Sequence, residues 1–105
     1  MADLIKIRAR FKEGLTEVKT LMNHPMETGR RKNDFDGVVP AHFIQLVTAA
    51  LNGKTVLEAQ WGTGIAKNPY LTFRLKNAKV GDKITITWHD NKGVSNSMEA
   101  LVEPA

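Results

Sequence analysis

The chain has 105 residues, 42% hydrophobic and 25% charged, a balance that fits one soluble globular domain over residues 1–105. It contains no cysteine, which excludes disulfides, thiolate catalysis and cysteine-based metal sites. The formal net charge of +4 is unevenly placed: residues 1–33 carry eight Lys and Arg against four Asp and Glu, and residues 34–105 carry seven of each. Nucleic acid and an acidic protein surface are both partners for such a basic third.

No apolar run approaches the ~20 residues that a membrane-spanning helix needs, so no membrane partner is expected. Met1 to Phe11 never builds an apolar signal-peptide core, which taken alone points to the cytoplasm.

Leu4 to Lys12 alternates cleanly. Ile5, Ile7, Ala9 and Phe11 share one face and Lys6, Arg8, Arg10 and Lys12 the other, the period of a half-buried strand. Glu13-Gly14 turns the chain, and Leu15 to Met22 reads as a second strand supported by β-branched Thr16, Val18 and Thr20.

From His24 to Ile44 the chain is too polar and too rich in turn formers to be a strand throughout. Gly29, Gly37, Pro25 and Pro40 punctuate it, around a run of charge: Glu27, Arg30, Arg31, Lys32, Asp34 and Asp36. A connection of this length inside a compact domain is often functional. Functional weight is therefore placed there.

Phe43, Leu46, Val47, Ala50 and Leu51 match the spacing of an amphipathic helix, yet Asn52-Gly53 between apolar runs is a strong hairpin signal. The expectation is strand, hairpin and return strand, the last over Thr55 to Trp61. Tyr70 to Lys76 alternates again, with Leu71, Phe73 and Leu75 inward. Ile84, Ile86 and Trp88 form the inner face of the next strand, with His89 opposite. Asp90 to Gly93 then closes a hairpin onto Val94 to Val102. Seven such segments predict an all-β, immunoglobulin-like β-sandwich of about seven antiparallel strands.

The chemistry is sparse. His24, His42 and His89 form no close sequence pair, so no metal ligand and no cofactor are assigned. The expectation is that His24 and His42 hydrogen-bond within the loop and that His89 faces solvent. Ser95 and Ser97 lack a nucleophile motif, and no catalytic residue is assigned. The basic stripe from Lys6 to Lys12 lacks outward aromatics for stacking bases, so a solvated face guarding a sheet edge is preferred to nucleic-acid binding.

The segment His24-x-Met26-Glu27-Thr28-Gly29-x-Arg31, with Asp36-Gly37, Pro40, Ile44, Asn52-Gly53, Asn68-Pro69-Tyr70, Phe73 and Trp88-x-Asp90-x-x-Gly93, resembles the SoxZ family. The resemblance implies an immunoglobulin-like sandwich. It also implies a non-catalytic subunit of a sulfur-carrier complex in thiosulfate oxidation. The implied partner is a SoxY-like protein that holds sulfur intermediates on a cysteine arm; other Sox enzymes are met through the complex. It implies a periplasmic location, reached by export with a signal-bearing partner. The alternatives are a basic β-protein that binds nucleic acid and a metal-dependent redox protein of superoxide-reductase type. Met26, Glu27, Arg30 and Arg31 are the residues expected to bind the partner.

Overall fold

The computed structural model describes residues 5–32 and 37–104. Leu4, Asp34 and Asp36, which figured in the strand and loop expectations, lie outside the described residues. Eight strands form two four-stranded sheets: β1 (Ile5–Lys12), β2 (Leu15–Met22), β3 (Ile44–Leu51), β4 (Lys54–Gln60), β5 (Tyr70–Leu75), β6 (Lys83–Asp90), β7 (Ser95–Leu101) and β8 (Glu103–Pro104). One sheet has the order β5-β2-β1-β8 and the other β4-β3-β6-β7. The protein is an all-β sandwich of immunoglobulin-like type. No helix among the described residues is long and apolar enough to cross a membrane.

The alternation of the sequence builds both layers. In the first sheet Ile5, Ala9, Val18 and Met22 are buried, while Lys6, Arg8, Arg10, Lys12 and Lys19 point away from the core. In the second, Val47, Ala49, Ile84, Ile86 and Trp88 are buried against them. Burying the valine, isoleucine and methionine side chains among them stabilises the fold by roughly 1.5–3 kcal/mol each.

The contested segment is a strand. Asn52 (φ 50°) and Gly53 (φ 87°) both adopt the left-handed backbone that a two-residue hairpin demands. The alternation of β3 is also interrupted locally. Ile44 faces Asp90 and Leu46 faces His89, so Gln45 is an extra residue on β3. This bulge puts Ile44 and Val47, three apart, on the same buried side.

To the expected set of about seven antiparallel strands the structure adds a short parallel one. Glu103–Pro104 forms an eighth, which runs parallel to β1 beside Arg10 and Phe11. Two residues are too few for a periodicity signal, and a proline in strand position is tolerated because β8 is an edge.

Candidate functional site

The connection between β2 and β3 lies across one end of the sandwich, where β2 and β6 end and β3 and β5 begin. Much of it is ordered as a narrow ladder. Glu27 and His42 exchange two backbone hydrogen bonds (2.6 and 3.0 Å), and Val39 N–H donates to Arg31 O at 2.7 Å. Gly29 sits at φ 84°, and a Cβ there would lie 3.1 Å from the Ala41 Cβ. The close approach of the two arms and the positive φ both favour glycine at this position. The loop base is tied by Asn68, whose side chain accepts from His24 N–H at 3.0 Å and whose own N–H donates to His24 O at 3.0 Å.

Beneath the ladder, Asp90 gathers the loop onto β6. Its Oδ1 accepts from the N–H groups of Lys92 (3.0 Å) and Val94 (2.9 Å). Its Oδ2 meets Nε2 of His24 at 3.2 Å and Nε2 of His42 at 2.7 Å. Burial pushes the Asp90 pKa up, but hydrogen bonds from Val94, His42, His24 and Lys92 outweigh it and hold the group at about 2. The carboxylate is therefore ionised at neutral pH and can only accept, so both imidazoles present an N–H at Nε2.

His24 is fixed more tightly. Its Nδ1 lies 3.1 Å from the Met26 backbone N–H, which can only donate, so the ring is the neutral tautomer with its proton on Nε2. Desolvation lowers its pKa below the ordinary 6.5, and the Asp90 hydrogen bond opposes this without reversing it. The ring packs edge-on against His42 (centroids 4.5 Å apart) and Trp88 (5.0 Å).

The candidate ligand atoms of His24, His42 and Asp90 lie within 4.8 Å of one another, close enough to surround a metal ion. The donor set does not fit one. Ligation through His24 Nε2 would move its proton to Nδ1, setting two donors against each other at Met26 N–H. That would leave His42 and Asp90, short of the four-coordinate set typical of zinc. The three side chains serve as a hydrogen-bonded tie.

The description "Sulphur oxidation protein SoxZ" matches residues 5–100. The chain belongs to the SoxZ family. Membership ties it to sulfur oxidation and to the Sox system of proteins. A search of curated proteins finds no significant match.

In this SoxZ domain the four expected partner-binding residues separate. Met26 is 5% exposed and belongs to the core, at φ 49°, with its sulfur 3.3 Å from the Ile44 N–H. Its side chain is therefore not offered to a partner as expected. Glu27 and Arg31 form a local bidentate pair at 2.8–3.2 Å. Arg30 is exposed, and its backbone N–H donates to Thr28 Oγ1 at 3.1 Å. His89 is exposed, as expected. His24 hydrogen-bonds within the loop as expected, through Nδ1 to the Met26 N–H, but the side chains of His24 and His42 also reach beyond it to Asp90, which the expectation did not include. Sequence spacing held no signal for this cluster, because its members lie 48 and 66 residues from Asp90.

Proposed function

We propose that the protein is the non-catalytic subunit of a periplasmic sulfur-carrier heterodimer in thiosulfate oxidation. Its partner is a SoxY-like chain whose cysteine arm carries the sulfur intermediates. The observation that carries this reading is the family match over residues 5–100 of a domain without cysteine. A chain with no thiol cannot hold a thiol-linked sulfur intermediate, so a partner must. Export occurs together with that signal-bearing partner.

The clamped loop supplies a docking patch of Glu27, Arg30 and Arg31. Arg31 is neutralised by Glu27, which leaves Arg30 as the cation available to an acidic surface. Reversing Arg30 and Arg31 to Glu should slow association with the partner chain or a Sox enzyme at low salt, with little change in melting temperature. Unchanged association rates for every partner would make the arginines ordinary solvated charge.

The carrier assignment is tested by mass. After turnover with thiosulfate in the reconstituted system, intact-mass spectrometry should find sulfur adducts on the partner alone. A covalent sulfur adduct on this chain would overturn the assignment.

A further inference from the structure

The outer face of the β5-β2-β1-β8 sheet is unpartnered and carries most of the chain's excess positive charge. Strand register sets its side chains in rows: Lys6, Leu21 and Tyr70; Arg8, Lys19 and Thr72; Arg10, Glu17 and Arg74, with Glu103 beside Arg10. Lys12 extends the basic column on β1. Six cations thus share a face with two carboxylates.

Those carboxylates do not neutralise it. Glu17 makes only long contacts, 3.5 Å to Lys19 and 3.6 Å to Arg74. Lys6, Arg8, Arg10 and Lys12 make no ion pair among the described residues. Arg8 stands directly opposite Lys19 on the neighbouring strand. Like charges so placed destabilise a sheet. Edge protection accounts for charge on the outer strands, but β2 has neighbours on both sides. Lys19 therefore has no such excuse.

We infer that this face docks an acidic surface of a partner protein, through a site separate from the β2–β3 loop. Charge complementarity selects an acidic occupant. Three features select protein over nucleic acid. Tyr70, 69% exposed, is the sole aromatic side chain on these rows, too few for a base-stacking platform. Glu17 and Glu103 would repel phosphates. Leu21 and Tyr70 line a shallow depression of about 270 Å³ with Lys6, Arg8 and Lys19, combining apolar contact with cations as protein interfaces do. The inference stands whether or not the loop also docks.

An isotope-labelled full chain titrated with an oligo-glutamate peptide tests it by nuclear magnetic resonance. Shifts should concentrate at Lys6, Arg8, Lys19, Tyr70 and Arg74. Arg8→Glu with Lys19→Glu should weaken binding at low salt by about tenfold or more, as removal of close charge pairs does. Lys54→Glu, on the other sheet, should leave it unchanged. If the double reversal fails to fold, Arg8→Gln with Lys19→Gln provides the same comparison. Shifts spread evenly over all surface cations, or affinity unaffected by the substitutions, would overturn the inference. So would tighter binding of a single-stranded oligonucleotide of equal charge to the same residues, which would make the face a nucleic-acid site.

Discussion

Asp90 accepts four hydrogen bonds through two oxygens, from two histidines of the β2–β3 connection and two amides of the β6–β7 turn. Asp90→Asn replaces one acceptor with a donor facing other donors. It should destabilise the protein by about 3 kcal/mol in urea denaturation. A loss below about 1 kcal/mol would mean that the tie contributes no more than an exposed pair. The same residues set an acid limit. His24 has a folded pKa below 6.5, so the unfolded chain binds the proton first. Its contribution is full above 6.5 and is lost as pH falls through the folded value. Asp90 behaves alike in a lower window, between its ordinary 3.8 and about 2. Melting temperature should therefore decline as pH falls below 6.5 towards the lowered His24 value, and fall again below 3.8 as Asp90 protonates. His24→Gln should flatten the first decline; a slope unaffected by that substitution would assign it to another group.

At the scale of elements, the ladder over the site depends on the approach of Gly29 to Ala41. Gly29→Ala adds a Cβ at φ 84° and into that contact, and should cost about 1–2 kcal/mol. A variant with wild-type stability would show that the arms can separate freely. Trp88 tests the second sheet. It is 3% exposed, and its Nε1 has no partner among the described residues. Trp88→Ala should cost about 3–5 kcal/mol. Trp88→Phe should cost clearly less, because it keeps an aromatic ring and removes the orphaned N–H. Equal losses in the two variants would contradict the reading of Trp88 as an aromatic core anchor with an orphaned N–H. Strands such as β1 and β6 were legible because one face is buried and period two survives along their length. The bulge at Gln45 broke that period in β3, and the Asn52-Gly53 hairpin signal, together with the family resemblance, favoured the correct reading. Met26 misled for a different reason: polar neighbours surround it in sequence, while a positive φ turns its side chain into the core.

For the whole molecule, sequence pattern conveyed two sheets and a shared core, since each strand shows which side it buries. Pattern does not encode convergence between distant segments. Asp90, His24 and His42 meet only because β2 and β6 end at the same pole of the sandwich. The assembled domain then offers a clamped charged loop at that pole and a basic sheet face, but no thiol. The central claim is the proposal that this sulfur-oxidation protein, which has no thiol of its own, works through a thiol-bearing partner chain. Obligate pairing of this kind commonly buries roughly 2,000 Å² or more. The direct measurement is co-expression with a SoxY-like chain followed by size-exclusion chromatography with light scattering at micromolar concentration. The account predicts one peak with the mass of a complex containing both chains in equal number. Two separate peaks, each at the mass of its own chain, would contradict it.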